Sequence, residues 1–246
     1  MSAPLGRRVA AEAIGTALLV AVVVGSGIQA TELSDDVGVQ LLANSLATVF
    51  GLGVLIALFG PVSGAHFNPA VTLAAWFTGR HAPGGLALRD VAAYVPAQMA
   101  GAVGGAILAD AMFAKPLVQL STHDRSAGHL WLGEVVATAG LILLVFGLNR
   151  INRASLAPAV ASYIGAAYWF TSSTSFANPA VTIGRTFTDT FAGIAPGSVA
   201  PFIAAQLAGA ALGLAVVTAV YGPHTAAARR AVEVPRGEPE PEPAAS

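Results

Sequence analysis

Apolar positions along this chain show neither the alternation of a half-buried strand nor the narrow stripe of a soluble amphipathic helix. They gather in six blocks, at residues 9–30, 38–59, 88–109, 130–148, 155–172 and 198–221. Crossing the hydrocarbon core of a bilayer takes about 20 mostly apolar residues as a helix. Each block therefore predicts a membrane span, and the chain reads as an all-α, multi-pass membrane protein. Two polar, Gly/Pro/Ser-rich stretches interrupt the pattern, GPVSGAHF at 60–67 and TSSTSFA at 171–177. Each leads into Asn-Pro-Ala-Val-Thr and then into about ten helix-compatible residues, near 15 Å of helix or half a bilayer.

Composition sharpens this picture. The chain is 55% hydrophobic and 10% charged over 246 residues, against about 25% charged in soluble domains. Too little charge is present to cover a water-facing surface. A net charge of −1 implies no nucleic-acid partner. Cysteine is absent, which removes disulfides, thiol catalysis and thiolate metal sites but leaves the redox compartment open. His81, His123, His129 and His224 fall in predicted loops or helix ends without ligand spacing, so no metal and no cofactor is expected. No nucleophile–base arrangement or phosphate-cradling loop is visible, and no enzyme is expected.

The N-terminus imitates a secretory signal, with Arg7 and Arg8, an apolar run and the small-residue stretch GSGIQA at 25–30. The apolar block is longer than a signal core and contains Glu12, so it predicts a first span. Placing the N-terminus inside puts Arg7, Arg8, Arg80, Arg89, Arg150, Arg153, Arg229, Arg230 and Arg236 on the cytoplasmic side. Only Lys115, Arg125 and Arg185 then fall outside, with the acidic TELSDD loop at 31–36. This positive-inside bias predicts cytoplasmic termini and insertion in the cell (inner) membrane. The Pro/Glu/Ala/Arg-rich end of the chain reads as a disordered cytoplasmic tail.

The chain is also written twice. AEAIGT (11–16) resembles GEVVAT (133–138), placing Glu12 against Glu134. NPAVT recurs at 68–72 and 178–182, and AQMAGA (97–102) recurs as AQLAGA (205–210), placing Gln98 against Gln206. The predicted organisation is a short N-terminus (1–8), a first repeat (9–118), a second repeat (119–221) and the tail (222–246). Each repeat holds three spans and one NPAVT segment. An odd number of spans starts the two copies on opposite sides of the membrane, an inverted pair. The small-residue runs AGAVGGA (100–106) and AGAALGLA (208–215) allow close helix approach.

Asn is a favoured N-cap and Pro is at home in the first helical position, so Asn68-Pro69-Ala70 and Asn178-Pro179-Ala180 read as helix starts. Inversion would bring both starts together near the midplane, where non-helical backbone must be buried or line a watery cavity. Residues Ser63, Gly64, Ala65 and His66, with 172–177, are expected to supply that backbone. Each helix N-terminus presents about half a positive charge, and the two asparagines add amide donors. Such a pathway would hydrogen-bond neutral solutes and repel cations and protons.

With these residues the sequence resembles the aquaporins, the major intrinsic protein family. The resemblance rests on the paired NPA motifs, SGAHFNPAVT around the first, Glu12 with Glu134, and Gln98 with Gln206, and covers residues 7–221. It implies six transmembrane helices plus two re-entrant half-helices, a pore in each protomer and a homotetramer in the lipid bilayer. Its implied partners are water and small uncharged solutes such as glycerol-like polyols and urea. It also implies that Glu12 and Glu134 hold the re-entrant loops. The rival use for intramembrane carboxylates is proton coupling in a secondary transporter. His66 is expected at the cytoplasmic pore mouth, or else as a bonded loop histidine.

This chain departs from the family's usual outer constriction, which carries Arg three residues after the second Asn. Val181 stands there, and the nearest arginine, Arg185, lies a turn further on and is expected to aim elsewhere. Ungapped counting assigns the other constriction positions to Thr48 (Phe50 if the count slips by two), Ala166 and Ser175. That set is wide, uncharged and mildly polar. The string FTDTFAG at 187–193 resembles a bacterial subgroup for which passage of metalloid hydroxides such as arsenite is implied.

Overall fold

The computed structural model describes residues 3–80 and 85–222. The expected tail, with His224, and His81 lie outside the described residues. The elements in chain order are α1 (Leu5–Leu33), α2 (Val37–Ser63), α3 (Pro69–Gly79), α4 (Leu88–Met112), α5 (Gly128–Ile151), α6 (Leu156–Phe170), α7 (Pro179–Gly184) and α8 (Pro196–Tyr221). All six apolar blocks are helical. Five of these helices are long and apolar enough to cross a membrane by themselves. The exception is α6, whose 15 residues span about 22 Å at the usual rise. It starts only after the 3-10 turn Arg153–Ser155 and stops where Thr171 turns extended.

Polar contacts identify which helix ends lie together. Arg8 meets Asp90 at 2.9 Å, and Arg150 donates to the carbonyls of Tyr221 and Gly222 at 2.9 and 2.8 Å. These define the lower end of the bundle, where α1 and α4 start and α5 and α8 finish. Lys115 meets Glu32 at 2.9 Å, and Thr188 donates to Asp110 at 2.8 Å. These define the upper end. The chain thus crosses three times in each half, and the two halves enter from opposite ends, as the odd span count requires.

The same pair of helices is packed twice: α4 against α1 and α8 against α5. The small-residue runs explain both. A Cβ at Gly101 or Gly105 would overlap the carbonyl oxygens of Ala13 or Ala17, and one at Gly209 or Gly213 those of Val135 or Ala139. Backbone meets backbone there, the approach that only glycine permits. Gly105→Leu or Gly213→Leu should therefore lower stability by about 3 kcal/mol, the upper range for overpacking. Gly104, with nothing within 4 Å of its would-be Cβ, should accept Ala without loss. Thermal melts of the three purified variants in one detergent check this ranking.

Candidate functional site

Both NPAVT segments start helices, and they do so by the same chemistry. Asn68 accepts from the Ala70 N–H at 2.8 Å, and Asn178 from those of Ala180 and Val181 at 2.9 and 3.3 Å. Proline follows at the first helical position in both, where its missing N–H is no loss. The resulting helices are unequal. α3 runs for 11 residues, whereas α7 runs for 6 before tightening into the 3-10 turn Arg185–Phe187. Expecting about ten helical residues after each Asn was thus right for α3 and too long for α7.

The approach to each Asn is built alike in both halves. Ala65 and Phe67 have φ of +49°, and Ser175 and Ala177 have +53° and +49°. Non-glycine residues hold this left-handed conformation only where surroundings over-determine it. Here the surroundings are two buried carboxylates. Glu12 accepts from the backbone N–H groups of His66 and Phe67 at 3.0 and 2.7 Å, from Ser63 Oγ at 2.6 Å and from Gln98 at 2.7 Å. Glu134 accepts from the N–H groups of Phe176 and Ala177 at 2.9 and 2.8 Å and from Gln206 at 2.6 Å. Each glutamine then reaches the threonine of its own motif, Thr72 at 2.9 Å or Thr182 at 2.8 Å.

The two halves are locked crosswise at the centre. Asn68 Nδ2 donates to the Ala177 carbonyl and Asn178 Nδ2 to the Phe67 carbonyl, each at 2.7 Å. A carboxamide nitrogen carries two hydrogens, so each asparagine keeps one N–H beyond this lock. Both side chains form the wall of a cavity of about 200 Å³. The cavity runs from Asn149, Arg153 and Leu156 near the lower end to Thr48, Ser175 and Arg185 near the upper end.

The predicted residues distribute around it as follows. Gly64, Ala65 and His66 line it below the asparagines, and Thr48, Ser175 and Val181 line it above. His66 is both wall and bonded residue, with Nδ1 3.0 Å from Thr72 Oγ1 and its ring edge-on to Tyr94 at 5.7 Å. Ser63 is not on the wall, since its hydroxyl serves Glu12. Of residues 172–177, only Ser175, Phe176 and Ala177 reach the cavity. Ser172 instead bonds the His129 carbonyl at 2.7 Å. Glu12 and Glu134 are fully buried behind the loops and do not line the cavity.

Three candidate positions at the upper end differ in what they face. Thr48 is 2% exposed and faces the cavity, while Phe50 is 69% exposed on the opposite side of α2. Ala166 is exposed on the outer face of α6, and Ile164 and Tyr168 face inward instead. The ungapped count to this helix crosses the irregular stretch 171–177, which does not keep helical phase. Arg185, expected to aim away, lies on the wall with Val181. Its Nε donates to the Ala192 carbonyl, and its guanidinium carbon sits 3.4 Å from the centre of the Phe176 ring.

Residues missed in the sequence are Tyr168, Asn149 and Arg153. The first could have been found from the i, i+4 series Leu156, Val160, Ile164, Tyr168, which defines one face of α6. The string FTDTFAG acquires a structural role. Thr188 bonds Asp110, and Asp189 accepts from the Thr122 N–H at 2.8 Å and its hydroxyl at 3.0 Å. These bonds, the Thr122 N–H foremost, hold the Asp189 carboxyl below its ordinary range. The bracket so formed presents the carbonyls of Ala192 to Arg185 and of Gly193 to Arg125. Among the described residues no group of three or more His, Asp or Glu gathers as a metal site.

Comparison with known proteins gives concordant matches. The family described as Major intrinsic protein matches residues 1–172, which include the first NPA motif. The aquaglyceroporin AqpS of Rhizobium meliloti (strain 1021) is 50% identical over 213 residues, covering 87% of this chain and 89% of that protein. Aquaporin NIP1-1 of Zea mays is 32% identical over 164 residues, 63% of this chain and 53% of that one. The X-ray structure of the aquaglyceroporin from Plasmodium falciparum shares the fold with a TM-score of 0.60 at 19% identity, covering 86% of this chain and 95% of that one.

Proposed function

Because the chain belongs to the major intrinsic protein family, we propose that its cavity is a passive channel for water and small uncharged solutes, closed to ions and protons. The observation that carries this reading is the crosswise lock. Two capped helix starts meet on one cavity wall, each asparagine keeping an N–H. Two N-termini offer about half a positive charge each, a barrier to cations that leaves neutral solutes unaffected. The protein is a channel and not an enzyme.

Solute size follows from the upper mouth. Thr48, Ser175 and Val181 form a filter without an arginine at the usual position, supplemented by Arg185 a turn later. Glycerol, the solute contained in the word aquaglyceroporin, urea and arsenite are the solutes of choice. Orientation with the lower end in the cytoplasm follows the positive-inside bias, in the inner membrane and as a homotetramer. Proton coupling through Glu12 and Glu134 has no support, because neither carboxylate reaches the cavity and both hold loop N–H groups.

Stopped-flow light scattering on proteoliposomes tests the reading. Protein-dependent permeability should appear for water, glycerol, urea and arsenite, with no acidification of an internal pH dye. Vesicles permeable to water and tight to glycerol would refute the wide filter. Solute-driven proton movement would restore the transporter.

A further inference from the structure

Asp110, in the last turn of α4, has half of its carboxylate unused. Oδ1 accepts from the Thr188 hydroxyl at 2.8 Å, and Oδ2 has no hydrogen-bond partner among the described residues. Asp110 is 1% exposed and lines a second cavity, of about 210 Å³, together with Lys115, Gln119, Thr188, Asp189 and Thr190. This cavity shares no lining residue with the one that holds the asparagines.

The hydrogen bonds around it leave acceptors over and commit the donors. An ionised carboxylate only accepts, so Thr188 gives its one hydrogen to Asp110. Thr188 Oγ1 lies 3.1 Å from Thr190 Oγ1, so Thr190 is the donor of that pair and keeps lone pairs free. Asp189 Oδ1 takes the Thr122 N–H at 2.8 Å and its hydroxyl at 3.0 Å, while Oδ2 has only a 3.3 Å approach from that hydroxyl. The Lys115 ammonium is engaged by Glu32 at 2.9 Å. Backbone bonds fix the frame. The Lys115 N–H donates to the Asp110 carbonyl at 2.9 Å, and the Gln119 N–H to the Phe187 carbonyl at 3.3 Å.

Charge and donor type choose the occupant. Two carboxylates, a hydroxyl and the Gln119 amide are hard oxygen ligands, and no imidazole or thiolate lines the cavity. Such a set suits calcium or magnesium and not zinc or copper. Calcium accepts about six to eight oxygens in flexible geometry, whereas magnesium demands a near-ideal octahedron. Ligands drawn from the end of α4, the loop after it and the bracket at 188–190 favour the tolerant ion.

We propose that the cavity framed by Asp110, Asp189 and Thr190 is a calcium site that ties the end of α4 to the FTDTFAG bracket. The site goes beyond the channel reading and does not depend on it. Two carboxylates place it in the weak class, with a Kd of about 0.1–1 mM. Lys115 is its rival from within the chain: on leaving Glu32, the ammonium would neutralise Asp110 in the ion's place.

Thermal melts of the purified protein in detergent, stripped with EDTA and then given calcium chloride, test the site. At about 10 mM calcium the wild type should melt about 3 °C higher, as expected for a ligand at roughly tenfold its Kd and a chain of this length. Potassium chloride of equal ionic strength should not reproduce the shift, and magnesium chloride should give a smaller one. Asp189→Asn keeps an acceptor for Thr122 and removes the charge, so it should fold and lose the calcium shift. Asp110→Asn should lose it too. No shift in the wild type, an equal shift with potassium or magnesium, or a wild-type shift in both Asn variants overturns the proposal. A shift that appears only in Lys115→Met overturns it as well, because the ammonium then holds the place. Should Asp110→Asn not fold, Asp189→Asn decides alone.

Discussion

Proteoliposomes carrying Asn68→Asp or Asn178→Asp should leak protons and small cations, where the wild type is tight. Each substitution does two things at the centre of the cavity. It replaces the Nδ2 donor that bonds the opposite half, to Ala177 from position 68 or to Phe67 from position 178. It also adds a unit negative charge beside two helix starts worth about half a positive charge each. A unit charge met at about 4 Å is worth about 4 kcal/mol at an effective dielectric near 20, enough to change cation entry by a factor of about a thousand. The lost lock leaves a buried carbonyl against a carboxylate, costing about 1–3 kcal/mol of stability. Internal pH and potassium dyes give the flux, and thermal melts give the stability. Asn68→Ala and Asn178→Ala, which lose the lock without adding charge, should destabilise yet stay ion-tight. Asp variants as tight as the Ala variants would remove the electrostatic account of exclusion.

The matched costs of the two halves explain how far the sequence could be read. The central buried pairs of the repeat were legible, because a buried carboxylate must be satisfied and Glu12 and Glu134 are satisfied by a loop and a glutamine in both copies. The family resemblance implied that Glu12 and Glu134 hold the loops, and the structure gives them loop N–H groups and glutamines. The small-residue runs announced close helix approach without naming the partners, which the structure gives as α1 for α4 and α5 for α8. Counting left this position open between Thr48 and Phe50, and α2 turns Thr48 toward the cavity and Phe50 away from it.

What failed did so where counting crossed irregular backbone. Residues 171–177 contain left-handed Thr174, Ser175 and Ala177, and no periodicity carries through such a stretch. On α6 before it, Ala166 turns outward, and Ile164 and Tyr168 face the cavity. The length of α7 was lost for a packing reason. A Cβ at Gly184 would sit 2.6 Å from the Ala102 carbonyl oxygen on α4, so the second half-helix ends tightly against that helix where α3 continues. The same early end turns the chain into the FTDTFAG bracket. The Ala192 carbonyl then draws Arg185 onto the cavity wall, a tertiary effect that spacing along the motif does not encode.

Val181→Arg and Arg185→Ala should shift selectivity in opposite directions, and together they locate the gate. Val181 is 5% exposed and sits one residue beyond the second NPA, with its N–H on the Asn178 cap. An arginine there adds a permanent cation and five N–H donors in a lumen already holding one guanidinium. Two like charges repel, so the new side chain must occupy the open space that valine leaves. Glycerol and urea flux should fall by about tenfold or more, the equivalent of about 1.4 kcal/mol, with water reduced less because it is smaller. Arg185→Ala removes the guanidinium stacked on Phe176 and should raise glycerol and urea flux relative to water. Stopped-flow measurements on both variants, normalised to protein content, decide between two geometries. If Val181→Arg changes no flux while Arg185→Ala widens selectivity, position 181 lies off the constriction and Arg185 alone sets it. If Val181→Arg closes the channel to large solutes while Arg185→Ala has no effect, valine is the reason this filter is wide, and Arg185 serves the bracket rather than the solute.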